Sequence, residues 1–289
     1  MSSYLSVPVC TCGHPRPARN GPARAQLPGL HRTLTTQLAS RTQAPLQSGG
    51  LQCSRQRRTS FHTTCNAVGT VKDQATGVEF PAVTHFWEGE AFRSLGAAAR
   101  QKKIAFVGVK VYAITLYVEG GRAARELGVR KRGGFFQDAG TEEYADALVD
   151  GAFSKLIQVQ LVRNVDGDTF FGALQEALEP RLRLSGDMKP LEQMKAFFAG
   201  QNFQKGLNIL MLVRPEGVLE LVTGQAGSSF VEVRPSLRVE SATLCRALLE
   251  VYLGNAAVIP EARATWAKGA QVLMQNEEER RSNRKGGGG

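Results

Sequence analysis

The chain has 289 residues, of which 42% are hydrophobic and 21% are charged, and its formal net charge is +10. This composition is typical of a globular protein. Every mostly apolar stretch of eighteen residues contains a charged side chain, which excludes a membrane-spanning helix. The basic balance does not indicate nucleic-acid binding, because residues 1–72 hold nine Lys or Arg and no acidic residue, and removing them leaves +1.

Residues 1–72 have the composition of an import signal. They are rich in Arg, Ser, Thr, Pro and Gln and lack hydrophobic periodicity, so they cannot bury enough apolar surface to fold. We predict a disordered organelle transit peptide with a cleavage point near residues 65–68. The uncharged opening MSSYLSVPVCTC favours a plastid, whereas Arg57 and Arg58 before TSFHTTC also suit a mitochondrion. A retained arm that binds RNA is the other alternative.

Few residues outside this segment could bind a metal or act as a nucleophile. Four of the five cysteines and three of the four histidines lie in residues 1–72, which leaves Cys245 and His85. One cysteine and one histidine cannot build a disulfide framework or a Cys/His metal site. The sequence also lacks the GxGxxG, GxxxxGK and HExxH motifs. We therefore expect no metal and no cofactor.

The remaining pattern predicts one domain over residues 73–275, followed by a disordered charged and glycine-rich tail at 276–289. Strands are predicted at residues 103–118, 155–163, 207–214, 218–223 and 229–234. Helices are predicted at residues 141–149, 168–184, 190–199, 240–253 and 260–276. The last three strands are joined by PEG and GQAG turns, which indicates an antiparallel meander. Runs of strands with helices grouped between them predict an α+β fold, with helices packed on one face of an antiparallel sheet.

Three motifs resemble the chalcone isomerase family: Arg100 followed by FVGVKVYAITLYVEG, then GAFSKLIQVQLVRNVDG, and finally ALLEVYLG. The resemblance covers residues 78–270 and implies the open-faced β-sandwich of that family. Its flavonoid-making members use an arginine, a threonine twelve residues later, a tyrosine, lysine and asparagine on one helix, and a threonine on the penultimate helix. Matched position by position, these fall on Arg100, Tyr112, Phe170, Ala173, Ala177 and Val251.

The replacements remove most of the donors that closing a chalcone requires. That reaction needs hydroxyl groups to polarise the ketone, and Phe170, Ala173, Ala177 and Val251 offer none. Positions 170, 173 and 177 follow helical spacing, so a helix face that is polar in the isomerases is apolar here. We therefore assign no catalytic residue and interpret these four residues as the lining of an apolar cavity.

Among the six positions matched to the family, Arg100 and Tyr112 are the two that carry polar side chains. This pattern resembles the fatty-acid-binding branch of the family, plastid proteins in which an arginine and a tyrosine at these positions hold the carboxylate. The resemblance implies non-catalytic binding of a free fatty acid in the chloroplast stroma, in support of fatty acid metabolism. A straight strand would separate the two residues by about 40 Å. The chain must therefore reverse near residues 101–103 and bend at Gly108.

Two other functions stay open at this stage. Tyr112 would replace the missing threonine in a weak isomerase or another intramolecular lyase. The chain would otherwise be a non-catalytic accessory to a biosynthetic enzyme, or a mitochondrial relative of the fold. We expect a fatty acid as the small-molecule ligand and no nucleic-acid partner, and the oligomeric state stays open, with a monomer as one possibility.

Overall fold

The computed structural model describes residues 69–87, 89–104, 107–136 and 140–286. The predicted transit peptide, apart from its last residues, lies outside these ranges. Within them the strands are β1 (Thr70–Lys72), β2 (Glu79–Pro81), β3 (Val83–His85), β4 (Ala91–Ile104), β5 (Val107–Glu119), β6 (Lys155–Leu161), β7 (Val165–Asp166), β8 (Asn202–Phe203), β9 (Leu207–Arg214), β10 (Val218–Gln225) and β11 (Leu237–Glu240). The helices are α1 (Gly120–Arg132), α2 (Thr141–Asp150), α3 (Gly167–Ser185), α4 (Lys189–Phe198), α5 (Ala242–Leu253) and α6 (Pro260–Gly286).

A seven-stranded antiparallel sheet organises the domain, in the order β11-β10-β9-β6-β5-β4-β3. Because successive side chains of a strand point to opposite faces, β5 sends Ile114 and Leu116 to one face and Ala113 and Tyr117 to the other. The first face is covered by the apolar stripes of the helices, among them Leu178 of α3. The predicted α+β class, with helices on one face of an antiparallel sheet, is confirmed.

The opposite face of the sheet is covered by β2 and by irregular segments, and one predicted strand is wrong there. Residues 229–234 are not in the sheet, although Phe230 and Val233 pack against this face. Gly227 has a φ of 85° and turns the chain out of β10, and Pro235 has no backbone N–H to donate to a neighbouring strand. The chain returns at Ser236, whose N–H donates to the carbonyl of Leu221 at 2.8 Å, and β11 then forms the edge strand.

Both predicted domain boundaries need correction. Strand β1 pairs with β2 from Thr70 onward, so the folded part includes residues 70–72, which the sequence placed in the transit peptide. Helix α6 continues to Gly286, where a disordered tail was predicted from residue 276. Charged pairs accompany this extension: Arg281 pairs with Glu277 one turn away at 3.4 Å, and Glu278 reaches Lys131 of α1 at 3.0 Å.

Strand β4 and helix α1 carry no clear sequence signal, and neither was predicted. Strand β4 contains three consecutive alanines and several charges, a composition poor in β-formers. It is held in place by its partner β5 and by α6, whose Trp266 donates its indole N–H to the carbonyl of Gly96 at 2.9 Å. Its conformation therefore depends on tertiary contacts rather than on local propensity.

A buried carboxylate lies on β10, next to the edge strand β11 of the sheet. Glu220 of β10 is 3% exposed and accepts hydrogen bonds from the indole of Trp87 at 2.8 Å, from Arg214 at 3.0 Å and from Arg238 at 2.7 Å. Burial alone would raise the pKa of this carboxyl, but the hydrogen bonds and the charge of Arg214 outweigh burial and lower the pKa. The folded state therefore favours the ionised form.

We expect Glu220→Gln to lower the free energy of unfolding by about 2 kcal/mol at pH 7, because the three donors lose a charged acceptor. A lowered pKa stabilises the fold above the ordinary carboxyl range, and this contribution disappears as the pH falls through the folded-state pKa. The gap between parent and variant in urea denaturation should therefore be full at pH 7 and should close as the pH falls below the ordinary glutamate pKa of about 4.3. Glu240→Gln, at a side chain that is 75% exposed, is the control and should change stability by less than about 0.5 kcal/mol. A gap that does not depend on pH would contradict this account.

Candidate functional site

The β4–β5 hairpin brings Arg100 and Tyr112 side by side. They are direct partners across the two strands, and the Arg100 Nη1 donates to the Tyr112 hydroxyl at 3.4 Å. The Arg100 Cζ also lies 6.0 Å from the centre of the Tyr112 ring. The two residues are adjacent, as the predicted pair requires, but the predicted position of the chain reversal is wrong. Residues 101–103 stay in β4, which ends at Ile104, and the irregularity is a register shift between Arg100 and Gln101 rather than a bend at Gly108.

Arg100 forms no ion pair with a carboxylate within the described part of the chain. It is half-buried, and among the ion pairs of the residues that the structure describes none includes Arg100. Burial lowers its pKa, but the neighbouring Tyr112, with smaller contributions from Tyr252 and Glu176, raises the pKa overall. A cation thus stands in a partly desolvated position where an anionic ligand could bind it.

A second tyrosine, Tyr252 of α5, completes this cluster and was missed as a site residue. The sequence pattern placed it only among the inward-facing residues of its helix. Tyr252 is 2% exposed and Tyr112 is 3% exposed. Burial, and after it the adjacent phenol of Tyr112, raises the pKa of Tyr252 well above its ordinary value. A side-chain hydrogen bond with Tyr112 contributes to this rise, so Tyr252 keeps its proton and extends the cluster by a second phenol.

These residues line one cavity of about 990 Å³. Phe170 and Ala173 of α3 line it as predicted, and the ring of Phe170 lies 6.2 Å from that of Tyr112. The apolar part of the lining is completed by Val109, Val111, Leu174, Phe203 and Val258. The cavity therefore joins a cationic and phenolic end to an apolar wall.

Two residues predicted to line this cavity do not. Ala177 packs against the hydrophobic core, and its carbonyl accepts a hydrogen bond from Arg181. Val251 is 1% exposed and belongs to the same core. Neighbouring residues on a helix point about 100° apart, and in α5 it is the next residue, Tyr252, that faces the cavity. The cavity therefore receives the phenol of Tyr252, whereas the sequence match placed Val251, which has no donor, at this point.

Charged residues at the rim of the cavity were also missed, because nothing in their local sequence marks them. Lys102 of β4 and Arg163, just beyond β6, line the cavity and are exposed. Two carboxylates line it as well. Asp166 caps α3 by accepting the N–H of Thr169 at 2.7 Å, a bond that lowers its pKa, and Glu176 lies on the same helix.

The part of the chain that the structure describes contains no group of three His, Cys, Asp or Glu residues arranged to hold a metal ion. None of its helices combines the length and the apolar character needed to cross a bilayer. Within the cavity, Arg100, Tyr112 and Tyr252 carry polar groups that can form hydrogen bonds with a ligand.

Comparison with known proteins identifies relatives in sequence and a solved structure with a similar fold. Residues 75–273 match the family model described as chalcone-flavanone isomerase. A chalcone–flavanone isomerase of Oryza sativa is 26% identical over 215 residues, which cover 71% of this chain and 91% of the rice protein. One from Fragaria ananassa is 29% identical over 210 residues, covering 70% and 87% respectively. Among solved structures, an Arabidopsis thaliana fatty-acid binding protein aligns with a TM-score of 0.56 and 21% identity, over 71% of this chain and 99% of that protein. This last likeness shows a shared fold.

Proposed function

This chain belongs to the chalcone-flavanone isomerase family, as its motifs predicted, and from that premise we propose that it binds a free fatty acid without converting it. The observation that carries the proposal is the guanidinium of Arg100. It lines a partly apolar cavity and has no carboxylate partner among the described ion pairs. The fold shared with a protein named for fatty-acid binding supports the same ligand class.

The head of the ligand is held by Arg100 and Tyr112. A guanidinium can meet a carboxylate through two parallel hydrogen bonds. The Tyr112 oxygen accepts from Arg100, so its own proton is free to donate to a second acceptor such as a carboxylate oxygen. Each hydrogen bond to a charged group contributes about 1.5–3 kcal/mol, much of it offset by desolvation. The head group therefore determines orientation and selectivity.

The tail of the ligand supplies the affinity. Each buried methylene contributes about 0.8 kcal/mol, so a dozen carbons contribute on the order of 10 kcal/mol before the cost of association. Phe170, Ala173 and Leu174 of α3 provide one apolar wall for such a tail, and Phe203 and Val258 provide further apolar contacts. Phe170 and Ala173 stand where the isomerases have polar residues, and their apolar side chains favour contact with a hydrocarbon tail.

We expect Tyr112→Phe to weaken laurate binding by about 1 kcal/mol, or about fivefold, in isothermal titration calorimetry. The ring stays in place and only one hydrogen bond is lost. Tyr144→Phe is the matched control, because Tyr144 is also buried but stacks on Phe136 with a centroid distance of 4.4 Å and does not line the cavity. Equal affinity of the Tyr112 variant and the parent would show that this phenol does not touch the ligand.

The direct test of the proposed function is native mass spectrometry of the full-length protein as purified, followed by extraction and identification of any bound acid. Titration with laurate and palmitate would then give the affinity. We expect a bound fatty acid or a micromolar Kd. The absence of any acyl ligand, together with no binding heat for either acid, would reject the proposal.

A second candidate function, an isomerase-type intramolecular lyase, is favoured by one specific observation. Two phenols, Tyr112 and Tyr252, lie in the same cavity as Arg100 and could polarise a ketone in place of the threonines of the isomerases. The relatives named above are described as isomerases. Incubation with a hydroxychalcone discriminates the two functions: turnover well above the spontaneous rate, abolished by Tyr112→Phe, would support the lyase.

We also propose that this binding serves fatty acid metabolism in a plastid, on the strength of the acid-free, hydroxylated composition of residues 1–72. Fusion of these residues to a fluorescent protein in plant cells tests the proposal. Signal that coincides with chlorophyll is expected. Signal that coincides with a mitochondrial marker would overturn it and favour a mitochondrial relative of the fold.

A further inference from the structure

Two features of the cavity are not used by a simple fatty acid. The first is a pair of cations at the rim, Lys102 and Arg163, which do not touch the Arg100–Tyr112 pair through any recorded hydrogen bond. The second is volume. At about 30 Å³ per carbon, close to the share of one water in the liquid, a chain of 12 to 16 carbons fills roughly 360–480 Å³. About half of the 990 Å³ is then left for a larger head group.

The register of the sheet locates the two cations. Leu161 of β6 pairs with Tyr112 of β5, so Arg163, two residues further, lies beside the part of β5 that leads to the hairpin tip. Lys102 pairs with Val109 on the other side of β5. With β5 between them, the two backbones are about 10 Å apart, and Lys102 is about 7 Å along the strand from Arg100. A group placed beyond the acyl carboxyl can therefore meet both cations.

The charges of the cavity are compatible with such a group. Lys102 and Arg163 are exposed, and neither is in an ion pair recorded for the described residues. Of the two carboxylates in the lining, Asp166 is engaged by the N–H of Thr169 at the start of α3. Glu176 contributes to the electrostatic surroundings of Arg100. Neither rim cation therefore forms an ion pair with a carboxylate of the lining, although Asp166 and Glu176 keep their negative charges.

From these features we infer that the cavity also binds a monoacyl lipid whose head group carries a phosphoryl group. The acyl oxygen accepts from Arg100 and Tyr112, and the phosphoryl oxygens are held between Lys102 and Arg163. Arginine suits this role because its planar donors match phosphate oxygens in pairs, while lysine supplies a point charge. An ester carbonyl is neutral, so the phosphoryl group adds charge only where the rim cations lie. This inference rests on the proposed fatty-acid binding at the same cavity.

The test compares ligands with the same acyl chain by calorimetry at low salt, below their critical micelle concentrations. The probes are lauroyl lysophosphatidic acid, monolaurin, laurate and inorganic phosphate. We expect the lysophosphatidic acid to bind the full-length protein about tenfold more tightly than monolaurin, which lacks only the phosphate. In a Lys102→Gln/Arg163→Gln double variant this ratio should fall to about twofold or less, whereas laurate affinity should fall by no more than about threefold.

A matched double variant, Arg125→Gln/Lys268→Gln, removes one arginine and one lysine that are exposed on α1 and α6 and do not line the cavity, and it should keep the tenfold ratio. The positive charges within residues 1–72 are the same in every variant, so their effect on lipid binding cancels in the comparison. Equal binding of lysophosphatidic acid and monolaurin, with laurate still bound, would overturn the inference and leave the proposed function intact. Failure of all three acyl ligands to bind would reject both. Tight binding of inorganic phosphate alone, lost in the Lys102/Arg163 variant, would identify a free-phosphate site and overturn the acyl class.

Discussion

Replacing Arg100 by alanine is expected to weaken laurate binding by about 3 kcal/mol or more, a loss of at least 150-fold in Kd. The variant would leave the ligand carboxylate next to Tyr112 in a partly buried position without a cation, and a desolvated charge without a partner is strongly unfavourable. Calorimetric titration with laurate measures the effect. The loss should be far larger than that of Tyr112→Phe, because the phenol supplies one hydrogen bond whereas the guanidinium supplies two and the charge.

The matched control for this experiment is Arg125→Ala. Arg125 lies on α1, is exposed and is not part of the cavity lining, so its removal should leave laurate affinity within about twofold of the parent. Arg100 itself is half-buried and its recorded hydrogen bond goes only to Tyr112, so the variant should keep its fold, which the thermal unfolding midpoint will check. Parent-like affinity of the folded Arg100→Ala protein would place the ligand elsewhere.

Replacing Gly269 by alanine is expected to lower the free energy of unfolding by about 3 kcal/mol. At this residue α6 crosses β4 so closely that a Cβ atom would overlap the backbone carbonyl of Leu95, with only 2.6 Å to its carbon and 2.7 Å to its Cα. The obstruction is main chain, which cannot move by a change of rotamer. The helix must shift away from the sheet, which would disturb the hydrogen bond from Trp266 to Gly96.

Gly172→Ala serves as the opposite case for the same substitution. Gly172 lies in the interior of α3, and no heavy atom would come within 4 Å of its added Cβ. Alanine loses less conformational freedom than glycine on helix formation, so this variant should be more stable by about 0.5–1 kcal/mol. Urea denaturation of both variants gives the comparison. Stabilisation of similar size at both positions would show that helix propensity, rather than the contact with β4, governs Gly269.

The positions of the regular elements could largely be predicted from periodicity. Strand β9 was predicted with its observed limits, and α2, α3, α4 and α5 were predicted within two residues at each end, because each has a regular apolar pattern of its own. The edge strand β11 was misplaced to residues 229–234, since alternating valines there resemble a strand. Only the sheet shows that those side chains cover its far face. The spacing of apolar residues in a segment indicates whether the segment is a strand or a helix, but it does not indicate which other segments it packs against.

Part of the candidate site could also be predicted from the sequence. The resemblance to the family identified Arg100, Tyr112, Phe170 and Ala173, because these residues can be compared with the family position by position, and all four line the cavity.

Residue types and their spacing were enough to recognise the family and the class of fold, and the resemblance to the family pointed to Arg100 and Tyr112. Packing in three dimensions turns Tyr252 rather than Val251 toward the cavity and brings Arg163 and Lys102 to the same rim. Those outcomes depend on the rotation of a helix by a single residue and on the register of three strands. Both are set by packing between segments far apart in the chain, which no local pattern encodes.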